Sequence, residues 1–385
     1  MHPALGLIPA LVSPAGASDT TPHQSVFAVN DGAEVPAIRS YFYAGGEYQM
    51  QGNDTENHVL VNQMYVEKLV PAHGVSQELP IILFHGRGQT GSNFLNTPDG
   101  RRGWASDFVA AGYEVYIVDE PFRARSPWET GHGSRALVSY SAEHLQQYFT
   151  ATSKYNLWPE AALHTQWPGA GVMGDAVFDQ FYAACIQFMP NSSFEQAAAQ
   201  AAGVALLDRI ARPAVIVGHS QGGPLPLLLA DQRPELAAAL ILLEPAGPPF
   251  REVVFSNETK RDWGVSEIAM TYDPPVTDPA KELVKAVRTY DNPLRRECIV
   301  QADSPPPRRL KNVSGKNVLV VTAESSYHHM YDHCTVDFLR QAGCQKLEHV
   351  YLEDIGIIGN GHMMFMEKNS HEIQKFLQKW IESVQ

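Results

Sequence analysis

The sequence predicts an α/β fold with a mainly parallel central sheet, flanked by helices and interrupted by inserted segments. Short, fully apolar runs alternate with helix-spaced stretches, the pattern of strands buried on both faces. The chain has 385 residues, more than one simple core absorbs, so a large domain with insertions is expected. Hydrophobic residues make up 44% and aromatics 10%, which supplies a core and excludes disorder as the main state.

The elements follow in order. Segments 25–29, 38–43 and 63–70 read as antiparallel strands at the N-terminal side of the sheet. The apolar runs at 80–84, 113–118, 214–217, 240–243, 317–321 and 347–352 read as the parallel set. Helical spacing lies at 103–112, 225–239 and 336–343, and closes the chain at 370–384 through Ile373, Phe376, Leu377, Trp380 and Ile381.

Two intervals exceed any loop. Residues 122–212 separate the second and third core runs, and 248–316 separate the fourth and fifth. Of the 91 residues in the first interval, 13 are aromatic, an enrichment that suits a lid over an apolar pocket, or equally an insertion with its own core. The expected organisation is therefore a core of 25–121 and 213–385, a loop or cap at about 248–316, and a lid at 122–212. Residues 1–24 read as a signal or flexible N-terminus, because the apolar stretch Ala4–Val12 precedes small residues at 13–17, although no Lys or Arg precedes it.

The net charge of −13 lacks the positive field that phosphate backbones and anionic lipids select, and no apolar run is long enough to span a membrane. Sequons at Asn53, Asn191, Asn257 and Asn312 favour secretion and glycosylation. Four cysteines (Cys185, Cys298, Cys334, Cys344) lack the CxxC spacing of zinc or redox sites and permit two disulfides in any of three pairings.

The chemistry centres on Val217-Gly218-His219-Ser220-Gln221-Gly222-Gly223, a G-x-S-x-G sequence between an apolar strand and a helical run. A strand-to-helix turn of that kind exposes the serine oxygen, and glycines flank it because side chains there would collide with the turn. In this motif, its context and the order of its elements, the sequence resembles the α/β-hydrolase superfamily from about residue 80 to 385, outside the two insertions.

The resemblance implies an α/β-hydrolase fold with Ser220 as nucleophile. It implies oxyanion amides from Gln221, which follows the nucleophile, and from Arg87 in the turn Phe84-His85-Gly86-Arg87-Gly88. His85 is expected to brace that turn. The general base belongs in the loop after the last strand, where Gly359-Asn360-Gly361-His362 supplies His362.

The acid is less direct. The usual superfamily position after the strand 317–321 falls on Ser326, which cannot stabilise an imidazolium. The preceding strand ends in Glu244, a carboxylate whose burial demands a partner. Some secreted esterases of the superfamily carry a Glu there. The chain also resembles them in Thr97-Pro98-Asp99-Gly100-Arg101-Arg102-Gly103-Trp104 and in the run from Gly361 to Ser370. Glu244 is the expected acid, with Glu324 and then Asp332 as alternatives.

Two further motifs are weighed. Histidines at i and i+4 in His328-His329-Met330-Tyr331-Asp332-His333 resemble metal spacing, but no third ligand is apparent, so no metal is expected. The stretch 119–126 resembles the family turn D-x-x-G-x-G-x-S with both glycines replaced, by Phe122 and Ala124. No G-x-G-x-x-G follows a core strand, so no dinucleotide cofactor is expected either.

The resulting expectation is a serine hydrolase cleaving small-molecule carboxylic esters with an apolar portion. A lactone-cleaving or ring-forming enzyme on the same fold is the alternative, and a hydrolase-like binding protein the third reading.

Overall fold

The computed structural model describes residues 34–51, 54–128 and 137–385. The expected strand at 25–29, the leader-like segment and the sequon at Asn53 lie outside the described residues. The strands of the main sheet are β1 (Ala37–Gln51), β2 (Asp54–Pro71), β3 (Ile81–Phe84), β4 (Val115–Asp119), β5 (Ala214–His219), β6 (Ala237–Leu243), β7 (Asn317–Thr322) and β8 (Leu347–Tyr351). Their spatial order is β1-β2-β4-β3-β5-β6-β7-β8. β1 pairs antiparallel with β2, β2 antiparallel with β4, and the remaining neighbours are parallel.

Every residue of β3, β4 and β5 is buried. Helices on both faces cover them, as the fully apolar runs require. These are α1 (Trp104–Ala110), α2 (Ser192–Ile210), α3 (Leu225–Gln232), α4 (Asp332–Gln341) and α5 (Ser370–Ser383). α5 buries Ile373, Leu377, Trp380 and Ile381, the stripe its spacing predicts, while Phe376 is half-buried.

Three boundaries differ from the sequence expectation. α3 ends at Gln232 and not at Ala239, because Pro234 supplies no amide donor and β6 starts at Ala237. α4 begins at Asp332, one turn before the expected Val336. The segment read as a lid also contains α2, which packs against β1, β2 and α3 as part of the core layer. Ala202 and Gly203 allow that approach. A β-carbon at Gly203 would lie 2.7 Å from Leu229, and one at Gly45 would lie 2.9 Å from the Ala202 backbone.

The rest of the first insertion is a set of short helical turns between Ala142 and Ala183. Its aromatics divide: Trp167, Phe178 and Phe181 pack on one another, whereas Tyr148 and Phe149 turn towards Tyr327 and His362. The second insertion folds into two small ribbons, Tyr272–Asp273 with Arg309–Leu310 and Lys285–Arg288 with Cys298–Gln301. A Cys298–Cys334 disulfide ties it to α4, and Cys185 and Cys344 are free thiols. Of the three pairing schemes left open, this is a single bridge.

Candidate active site

The elbow at Ser220 is strained in the manner its glycines predict. Ser220 holds φ at 53°, a left-handed value that a β-carbon disfavours. A β-carbon at Gly218 would sit 2.2 Å from Gly222 O, and one at Gly222 would sit 2.4 Å from His85 O. The backbone amides of Gly223 and Ala246 donate to Ser220 O at 2.9 and 2.7 Å, fixing the turn between β5 and the end of β6.

Opposite the elbow stands His362. Its Nδ1 lies 2.5 Å from Glu244 Oε2. Glu244 follows β6, is fully buried, and takes two more donors: Ala323 N at 2.8 Å to Oε1, and Ser326 Oγ at 2.7 Å to Oε2. Three donors converging on one carboxyl favour its acceptor-only, ionised form. Burial, and then the nearby Asp332, pushes the Glu244 carboxyl up to about 8 against the opposing pull of His328 and of the Ala323 and Ser326 donors. Burial, and secondly the neighbouring His219 and His328, holds the His362 imidazole well below its ordinary value. With Nδ1–H donating to Glu244, Nε2 is the open acceptor, and Tyr327 Oη lies 3.4 Å from it.

Ser326, the position at which the usual acid is expected, thus hydrogen-bonds the Glu244 carboxylate. Glu324 is placed elsewhere: its Oε2 accepts from Gly359 N at 2.6 Å and so braces the loop that carries His362. Asp332 pairs with His328 Nδ1 at 2.9 Å and with Thr322 Oγ1 at 2.8 Å, also away from His362 Nδ1.

The loop of His362 is held by the segments 97–104 and 361–370. Buried Glu367 accepts from Gly361 N at 3.0 Å, Asn360 Nδ2 at 2.7 Å and His164 Nε2 at 2.6 Å. Arg101 donates to the carbonyls of Met366, Glu367 and Lys368 at 3.1–3.2 Å, and Trp104 Nε1 to Ser370 O at 2.9 Å. His219, inside the elbow, was not singled out by the sequence. Its Nε2 donates to His362 O at 3.0 Å, and burial holds its imidazole at about 3, so it is a neutral brace.

Arg87 and Gln221 line the same cavity as Ser220 and His362. Among the described residues neither backbone amide donates to a protein acceptor. His85 braces the turn as expected, with Nδ1 donating to Gly86 O at 2.9 Å and Nε2 accepting from Glu120 N at 3.1 Å.

The cavity encloses about 110 Å³. Tyr140, Phe149, Phe255 and Tyr327 form an aromatic wall, and Glu252, Lys260, Arg261 and Glu267 from the second insertion form a charged one.

The metal-like spacing does not assemble a centre. Tyr331 breaks the helix, so His329 Nε2 meets Glu353 at 2.8 Å while His333 Nε2 meets Arg296 O at 3.0 Å. Glu244, His328 and His362 do bring ligand atoms within 4.8 Å of one another. Glu244 already makes three hydrogen bonds, and both nitrogens of His328 are engaged, by Asp332 and by Tyr331 Oη at 3.1 Å.

A family model described as the alpha/beta hydrolase family matches residues 81–374. The chain belongs to that family. It is 42% identical over 345 residues, 90% of each chain, to the probable secreted lipase phiG of Fungal sp. (strain ATCC 74256). A solved structure described as a novel bacterial esterase superposes with a TM-score of 0.61 at 19% identity, covering 92% of this chain and 98% of that one, which supports the hydrolase fold. Among the described residues no helix is long and apolar enough to cross a membrane.

Proposed function

We propose that this α/β hydrolase cleaves carboxylic esters through a covalent acyl-enzyme on Ser220. The observation that carries the reading is the Glu244–His362 contact at 2.5 Å, set against a left-handed serine in one cavity. His362 Nε2 exchanges its contact with Tyr327 for the Ser220 hydroxyl and takes its proton as Oγ attacks the ester carbonyl. Glu244 holds the tautomer and stabilises the imidazolium. The amides of Arg87 and Gln221 receive the oxyanion, each worth on the order of 2.7–4 kcal/mol. His362 then protonates the leaving alkoxide, and water, deprotonated by the same nitrogen, releases the acid.

The aromatic wall of Tyr140, Phe149, Phe255 and Tyr327 beside Ser220 and His362 suits an ester with an apolar portion. The segment between 137 and 190, with Phe149 5.0 Å from the His362 ring, acts as a lid in this reading. Secretion is supported by the Cys298–Cys334 disulfide and by the name of the fungal relative. Exposed Asn191 and Asn257 are the proposed glycan sites, whereas Asn312 Nδ2 is committed to Asp231 O at 2.7 Å.

Active-site titration with a fluorophosphonate, beside p-nitrophenyl acetate, butyrate and laurate, tests this. Labelling and turnover are expected in the intact chain, and both vanish in Ser220→Ala. An intact chain that neither labels nor turns over any ester overturns the proposal. Labelling without turnover of simple esters selects the lactone-cleaving or ring-forming reading, which the small, partly charged cavity also accommodates.

A further inference from the structure

Arg87 and Gln221 follow different strands, β3 and β5, yet their side chains are linked through Arg123 and through Glu195 of the first turn of α2. Glu195 Oε1 accepts from Arg123 Nη2 at 2.7 Å and from Met189 N at 3.1 Å. The same Arg123 nitrogen donates to Gln221 Oε1 at 2.9 Å. Glu195 Oε2 lies 4.0 Å from Arg87 Nη2, which donates to Ser192 Oγ at 2.6 Å. Both guanidinium groups lie over the Phe188 ring, at 5.3 and 5.9 Å.

Arg123 is 1% exposed and Glu195 5%, so this ion pair forgoes nearly all hydration. The backbone is also held against preference to deliver it. Phe122 and Ala124 take φ of 66° and 44°, at the two positions where the family turn has glycine, and they flank Arg123. Buried Glu120 belongs to the same network: burial pushes its carboxyl up to about 8, and the charges of Arg123 and Arg87 oppose that push.

We propose that Arg123 and Glu195 form a positioning pair that fixes the separation and aim of the Arg87 and Gln221 amides through their side chains. The inference rests on the serine-hydrolase reading above. Oxyanion donors act at 2.7–3.1 Å, and a displacement near 1 Å costs about 100-fold in rate, so anchoring each donor residue by its side chain bears directly on turnover.

The test uses the full chain and three variants: Glu195→Gln, Arg123→Lys, and the double variant Glu195→Leu with Arg123→Met, which removes both buried charges together and so preserves the fold if a single change does not. Each is assayed on p-nitrophenyl butyrate and on the matching thionoester, whose larger, softer sulfur gains little from an oxyanion site. The expected result is a fall in kcat of about 10–100-fold on the oxoester, with KM within about twofold. The oxo-to-thiono rate ratio falls with it, and Arg123→Lys recovers part of the loss. Equal losses on both esters, or no loss in the double variant, overturn the inference while leaving the serine-hydrolase reading intact. An intact chain that cleaves neither ester overturns the underlying reading instead.

Discussion

Two carboxylate–histidine pairs lie side by side in this protein. Glu244 holds His362 at 2.5 Å and Asp332 holds His328 at 2.9 Å, each through Nδ1. Their imidazoles are stacked, with centroids 4.8 Å apart and planes within 5°. All four side chains are buried, and burial lowers both histidines, His328 to about 4. What separates the pairs is the second nitrogen. His328 Nε2 is closed by Tyr331 Oη at 3.1 Å, whereas His362 Nε2 faces the cavity of Ser220 with a longer contact of 3.4 Å to Tyr327. Both pairs border the cavity, and in the proposed reading it is the pair whose outer nitrogen can exchange partners that does the chemistry.

The sharpest way to break that comparison is to remove each imidazole in turn. His362→Ala is expected to lower kcat by about 10⁴–10⁶-fold, like Ser220→Ala, because members of one triad fail as a unit. His328→Gln is expected to cost less than about tenfold, through lost stacking and not through lost chemistry. Comparable losses in stopped assays of the two variants would assign the base to the wrong histidine. The carboxylates come next. Glu244→Gln should cost about 10⁴-fold in kcat by favouring the wrong tautomer. Asp332→Asn should leave kcat within about tenfold but destabilise the fold by about 1–3 kcal/mol, read by denaturant melts, since Thr322 and His328 share a carboxyl whose second oxygen is lost.

The sequence makes one of these pairs legible and hides the other, for physical reasons. The elbow, the glycine-flexed loop of His362 and the apolar strand ending in Glu244 are each local patterns, readable residue by residue. His328 and Asp332 are equally local, but the spacing of their segment suggests a metal helix. Only the turn at Tyr331, which separates a short 3-10 turn from α4, aims the neighbouring histidines apart. The lid boundary was obscured differently. Aromatic content marks the whole of 122–212, whereas α2 joins the core through Ala198, Ala199, Ala202 and Gly203, small residues that carry no strong hydropathy signal. Arg123 was hidden because a replaced glycine reads as a lost motif, when Phe122 and Ala124 keep the left-handed backbone that the motif needs.

A smaller effect separates the two oxygens of Glu244 from its neighbours. Ser326→Ala removes one of three donors to the carboxylate and should lower kcat by about tenfold, the equivalent of roughly 1.4 kcal/mol. Glu324→Gln retains an acceptor for Gly359 N and should change kcat by less than about threefold in the same assay. If Glu324→Gln proves the more damaging of the two, Glu324 and not Glu244 is the acid.

The smallest expected effect is a displacement of the pH profile, and it ties the two pairs together. The acid limb of kcat/KM reports the base of the free enzyme, which works only when neutral. Burial holds His362 well below its ordinary 6.5, and positive charge on His219 or His328 would lower it further. Activity should therefore already be at its plateau at pH 6.5 and fall only at distinctly lower pH. Glu244 opposes the shift from one side, while Tyr327 is neutral across this range. In His328→Gln the neighbouring imidazole can no longer charge, so the limb should move up towards 6.5 with the plateau rate nearly kept. A limb at or above pH 6.5 in the intact protein would mean that His362 is more solvated than its burial indicates. A limb that stays put in His328→Gln would mean that the stacked rings share a face without sharing a field.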